Sequence, residues 1–222
     1  MKKIVFVCSH VYSGSSQLCD AMDANPRMQV YGRQHEQLKV GQDGKPFLEY
    51  SLPSRSVYST PSDLLNLTDN RHKMSSSAAI YVDELLQNYQ FSIKEAYSIC
   101  KFVYVVREPS PVLNYMQAKF RTRPEYASRY YLYRMRRICE MAKRTPGAVL
   151  LTFDDLRSGR GIDLLREYLC LKQDIEWDPS MLTPVRMRLN QASIEPEALA
   201  QVEEGWERYL YFLRSLALRR PR

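Results

Sequence analysis

The hydrophobic pattern of the chain opens on a short apolar run, Ile4 to Cys8, bounded by polar residues. A run of that length, rich in β-branched and aromatic residues, predicts a strand buried on both faces. After the small-residue stretch "HVYSGSSQL" (residues 10–18), Leu18, Ala21 and Met22 recur at helical spacing until Asn25-Pro26 stops the helix. "MQVYG" reads as a second strand. Residues from about 40 to 78 carry little pattern; "GQDGKP", "SLPSRS" and "STPSD" are turn-rich, which predicts a long irregular excursion with one short helix, facing the substrate. "AAIYVDELLQNY" reads as a strand entering a helix, with Val82, Leu85, Leu86 and Tyr89 on one face, and "SIKEAYSIC" continues helically. "KFVYVV" is the clearest buried strand, and "REPSPVLNYMQAKF" follows as a turn and a helix. The pattern then gives a long helix over Glu125 to Lys143, with Tyr126, Tyr130, Tyr133, Arg137, Ile138 and Met141 on one side. "GAVLLTF" reads as a strand, and "DDLRSGRGIDLLREYLCL" as a turn and a helix. An amphipathic terminal helix at about 195–217 aligns Leu199, Val202, Trp206, Tyr209, Leu210 and Leu213.

Strands alternating with helices predict an α/β fold of three layers, a parallel sheet with helices on both faces, in one domain spanning 1–222. Ligands of such sheets bind at the carboxyl ends of the strands. Three features fall at those ends: the 10–17 loop, the "GRQHE" stretch after the second strand, and the "REPSP" turn.

Composition removes several classes. No apolar run approaches the ~18 residues of a membrane helix, and the apolar part of "MKKIVFVCSH" is shorter than the ~7–15 residues of a signal core. The five cysteines (Cys8, Cys19, Cys100, Cys139, Cys170) contain no CxxC pair. That argues against a disulfide framework or zinc site and for reduced thiols in a cytoplasmic protein. The three histidines show no metal spacing. The net charge of +7 is concentrated: Lys119 to Arg144 holds nine basic residues against Glu125 and Glu140. Such a segment suits an anionic partner, although any single one of these residues also fits a solvated helix face.

Strand, small-residue turn and helix is a phosphate-binding arrangement. Backbone amides of Ser13, Gly14, Ser15 and Ser16 at a helix N-terminus donate to an anion, Gly14 admits close approach, and the serine hydroxyls add donors. A serine cap is the plainer alternative. Arg107, ending the "FVYVV" strand, is placed to fork onto a second phosphate, or else to pair with Glu108 or Asp154.

Three ordered blocks resemble the sulfotransferase family, whose members use 3′-phosphoadenosine 5′-phosphosulfate. They are the strand with "YSGSSQL", the block "FVYVVREPSPVLNYM", and "VLLTFDDLRSGRGIDLLREYLCL". The resemblance implies a P-loop NTPase-like fold and metal-free transfer of a sulfuryl group to a hydroxyl or amine, on a small molecule or a saccharide. The loop of Ser13, Gly14, Ser15 and Ser16 would bind the 5′-phosphosulfate, and Arg107 the 3′-phosphate. Two positions depart from the family pattern. Tyr12 stands where the family has Lys or Arg, and Tyr115 where it has a serine, with Asn114 beside it. A tyrosine hydroxyl donates one hydrogen bond but brings no charge. The missing cation is therefore sought in Arg33, Lys119, Arg121 or Arg123, or in a protonated His10. The acceptor's base is expected at Glu36, with His35 second and His72 and Asp83 more distant candidates; Glu36 as a first-turn helix acid is the plainer alternative.

Three other functions compete. A P-loop small-molecule kinase would use the same scaffold, but GxxxxGK[ST] and its lysine are missing. A nucleic-acid module would exploit the basic, tyrosine-rich segment, yet no nucleic-acid motif accompanies it. A non-catalytic nucleotide-binding relative would explain Tyr12 directly.

Overall fold

The computed structural model describes residues 3–25, 28–31, 36–40, 46–50, 78–82, 100–171, 175–182 and 196–217. Its centre is a parallel five-stranded sheet. In chain order the strands are β1 (Lys3–Ser9), β2 (Met28–Tyr31), β5 (Ala78–Val82), β6 (Cys100–Val106) and β7 (Val149–Thr152), and across the sheet the order is β2-β5-β1-β6-β7. A separate antiparallel hairpin joins β3 (Glu36–Val40) to β4 (Pro46–Tyr50).

Side-chain alternation along the two central strands creates the layers. Phe6 and Cys8 of β1 and Phe102, Tyr104 and Val106 of β6 point to one face. There they meet α2 (Pro109–Phe120), α3 (Pro124–Arg144) and α6 (Pro196–Ala217). Val5, Val7, Val103 and Val105 point to the other face, against α1 (Ser15–Ala24), α4 (Phe153–Arg157) and α5 (Arg160–Leu169). Strands apolar on both sides therefore read as continuous runs in the sequence, and the three-layer α/β expectation is met.

Several sequence expectations need correction. The stretch from about 40 onward was expected to be irregular, but Pro46–Tyr50 forms a strand. Glu36 opens a strand, so its alternative as a helix-dipole acid is removed. The buried side of α3 is shifted from the expected one: Ile138 and Met141 are buried as expected and Tyr130 packs against the core, but Tyr133 is exposed and Ala127, Tyr131, Arg134, Met135 and Ala142 are buried as well. The expected turn and helix after β7 is a pair of helices, because a Thr152–Asp155 capping box starts α4 directly at the strand end. The helical stretch expected after Val82, the short helix in the excursion, and His35, His72, Asp83 and Arg33 lie outside the described residues.

The terminal helix matches its predicted register. Val202, Trp206, Leu210 and Leu213 are buried, with Leu199 and Tyr209 against the same core.

Candidate functional site

The strand order places a topological switch between β1 and β6. From β1 the chain leaves through α1 toward the β2 edge; from β6 it leaves through α2 and α3 toward β7. In open α/β sheets, connections that diverge in this way leave a crevice at the carboxyl ends of the two strands, and ligands bind there. The loop His10–Gly14 and the turn at Arg107 line it.

Three buried side chains take up the backbone groups freed where β1 and β6 leave the ladder. Arg134 Nη2 donates to the Ser9 carbonyl at 2.8 Å, and Tyr131 Oη donates to the Arg107 carbonyl at 2.6 Å. The Arg107 amide donates to His10 Nε2 at 2.9 Å, while His10 Nδ1 lies 3.0 Å from the Val11 carbonyl. One nitrogen accepts and the other donates, so the pattern selects neutral imidazole protonated on Nδ1. Burial, with the nearby Arg134 and Arg107 charges, pushes the His10 pKa down to about 4. The expectation that His10 supplies a cation is therefore corrected: near neutral pH it is an uncharged brace between the two loops.

The loop itself is tightly turned. Tyr12 has φ of 60° and Gly14 φ of 94°. Gly14 is the N-cap of α1 and offers no capping side chain, so the amides of Ser15, Ser16 and Gln17 have no intrahelical acceptor; the first helical bond runs from Leu18 N to Gly14 O at 3.1 Å. A Cβ on Gly14 would meet Leu156 Cδ1 and Phe153 Cδ2 at 3.2 Å, beyond its backbone strain. Ser9 Oγ donates to Ser15 Oγ at 2.9 Å, which fixes the start of the helix against the strand. Ser13 Oγ is buried and has no hydrogen-bond partner among the described residues, while Ser16 is exposed.

Arg107 is buried, and its hydrogen-bonding edge is poorly used. Nε lies 3.5 Å from Glu108 Oε1, and Nη1 lies 3.5 Å from the Tyr12 carbonyl. Charge-assisted bonds usually run about 2.7–2.9 Å. Its faces are well covered, with the guanidinium carbon 3.6 Å from the Phe153 ring centroid and 4.5 Å from that of Tyr12. Aromatic faces hold a guanidinium plane while leaving its N–H edge for an anion. Asp154, the other partner considered for Arg107, pairs with Arg157 instead.

Tyr12 also stacks on Tyr115, with centroids 4.1 Å apart and planes inclined by 8°. Tyr115 Oη accepts a 2.7 Å bond from Lys119 Nζ one helical turn further on. The structure thus brings together Tyr12, Ser13, Gly14, Ser15, Arg107 and Tyr115. Glu36 stands at the start of β3. The basic segment divides: Arg134 is buried, Arg136 and Arg137 share Glu140, and Lys119, Arg121, Arg123, Arg129, Lys143 and Arg144 are exposed.

Sequence reasoning missed Phe153, Tyr131 and Arg134. Only Arg134 left a sequence signal, a charge in register with Tyr131, Ile138 and Met141 on what proves to be the buried face.

The fold is α/β, with a strand–loop–helix turn at its switch point. No protein-family profile and no curated protein matches the sequence. Among solved structures, a sulfotransferase from Alicyclobacillus acidocaldarius aligns with 100% of this chain and 98% of its own, at a TM-score of 0.52 and 13% identity. At that identity the likeness establishes a shared fold. Among the described residues, no helix is long and apolar enough to cross a membrane.

Proposed function

We propose that the protein is a sulfotransferase that moves a sulfuryl group from 3′-phosphoadenosine 5′-phosphosulfate to a hydroxyl or amine, the basic segment favouring an anionic saccharide as acceptor. The observation that carries this reading is Arg107: a buried guanidinium with covered faces and long contacts along its edge, beside a loop whose Ser13 hydroxyl has no hydrogen-bond partner among the described residues and whose first-turn amides have no intrahelical acceptor. A nucleotide with phosphate groups at both ends needs two neighbouring anion sites, which the loop and Arg107 at the switch point would supply. The fold shared with a known sulfotransferase supports the same reading.

In this reading the amides of the 13–16 loop and the first turn of α1 hold the 5′-phosphosulfate, while Arg107 and Tyr115 hold the 3′-phosphate. When bound, the donor supplies an electrophilic sulfur on a phosphate leaving group. Glu36 takes the acceptor's proton as the acceptor atom attacks that sulfur, with His35 the alternative base. The loop amides stabilise the negative charge that grows on the departing phosphate.

A donor labelled in its sulfuryl sulfur, offered with a panel of hydroxyl and amine acceptors, tests the proposal. Label is expected in an acceptor with the unmodified protein and, at donor concentrations below KM, to fall about tenfold or more in Arg107→Ala, the scale of one lost charge-assisted bond. No transfer and no nucleotide binding would overturn it. Binding without transfer would favour the second reading, a nucleotide-binding relative without turnover, which the uncharged Tyr12 and neutral His10 recommend.

A further inference from the structure

The loop residue that departs most from the resembling family is Tyr12, and its surroundings suggest what replaces the missing charge. A bulky residue at φ of 60° is uncommon, because its Cβ crowds the backbone in the left-handed region. Such strain persists where neighbours hold it in place. Here the neighbours are the Arg107 guanidinium, 4.5 Å from the Tyr12 centroid, and the Tyr115 ring stacked at 4.1 Å. Lys119 stands against Tyr115. Its Nζ donates to Tyr115 Oη at 2.7 Å and lies 5.1 Å from the Tyr115 centroid and 5.6 Å from that of Phe120.

We infer that Lys119 is the second cation of the nucleotide site, held at the rim of the 10–16 loop by the Tyr12–Tyr115 stack in place of a loop lysine. This rests on the proposed function and goes beyond it by naming the residue that meets the donor's charge. Three features of Lys119 support it. Its bond to Tyr115 uses one of three ammonium hydrogens, leaving two for a phosphate or sulfate oxygen. No carboxylate neutralises it among the described residues, whereas Arg136, Arg137, Arg157, Arg160 and Arg166 on the same chain each pair with an acid. Its position is tied, through two rings in face contact, to the backbone of the loop itself. An exposed lysine without such ties samples many rotamers and brings little charge to any fixed point.

Side-chain direction explains why a residue so far along α2 can serve. Helical side chains lean toward the helix N-terminus, and α2 begins at the mouth of the crevice, directly after Arg107 and Glu108. Tyr115 therefore leans toward Tyr12, and Lys119, four residues on, lies over Tyr115 on the same face.

The test uses adenosine 3′,5′-bisphosphate as probe, with affinity read by calorimetry at two salt concentrations. Lys119→Ala is expected to weaken binding about tenfold, the scale of one charge-assisted bond, and to flatten the salt dependence. Lys119→Arg is expected to restore both. Lys143→Ala, an exposed lysine on another helix, should match the unmodified protein. Binding by Lys119→Ala with unchanged affinity and salt dependence would overturn the inference while leaving the proposed function standing. No binding by the unmodified protein would overturn the proposed function, and the inference with it.

Discussion

At the scale of single residues, the crevice is set by side chains that would be read as chemistry from their type alone. His10 illustrates the difference. Its two ring nitrogens are committed to the Val11 carbonyl and the Arg107 amide, and burial beside two guanidinium groups lowers its pKa from 6.5 to about 4. A group whose folded pKa is depressed in this way favours the neutral form in the folded state. Its contribution to stability is whole above pH 6.5 and is lost as the pH falls toward 4, by up to about 3 kcal/mol. Denaturant midpoints measured from pH 7 down to pH 4 are therefore expected to fall less steeply in His10→Gln, which removes the titrating group; parallel curves would contradict the assignment. Tyr12 is the opposite case. Its departure from the expected Lys or Arg was visible in the sequence, but its partners were not. A stack on Tyr115 and a cation–π contact with Arg107 join residues about a hundred positions apart, and no local pattern announces them.

At the scale of elements, α3 holds the crevice in shape. Tyr131 and Arg134 rise from its buried face to the carbonyls of Arg107 and Ser9, so the helix fixes the ends of both central strands. The existence of this helix was legible, since side chains recur at helical spacing through Glu125 to Lys143. Its orientation was legible only in part, through Ile138 and Met141. The tyrosine-rich side looked apolar and the arginine looked solvated, but burial selects by contact and hydrogen bonding rather than by residue class. Tyr131→Phe leaves the ring in the core and removes one donor from a buried carbonyl, an expected loss of about 1–3 kcal/mol in chemical denaturation. No change in stability would show that the 2.6 Å contact carries no weight. The β3–β4 hairpin was missed for a different reason. A small antiparallel ribbon needs only a few alternating positions, and turn-rich flanking sequence hid them.

At the scale of the molecule, most of the architecture was readable because parallel strands buried on both faces leave unbroken apolar runs between helices. Alternation alone also placed "HVYSGSSQL" and "REPSP" at the same end of the sheet. The strand order was beyond reach, since nothing local in a sequence says that β5 lies between β2 and β1. That order creates the switch point, and the switch point brings the loop and Arg107 into one crevice. Two loops remote in sequence there share one brace, His10, at the carboxyl ends of adjacent strands. The central claim is that this space is an anion site for a nucleotide with phosphates at both ends. Calorimetric titration of adenosine 3′,5′-bisphosphate into the unmodified protein and Arg107→Ala tests it most directly. The account predicts binding near the micromolar range, about −8 kcal/mol, weakened at least about tenfold without the guanidinium. No binding, or equal binding by the two proteins, would contradict it.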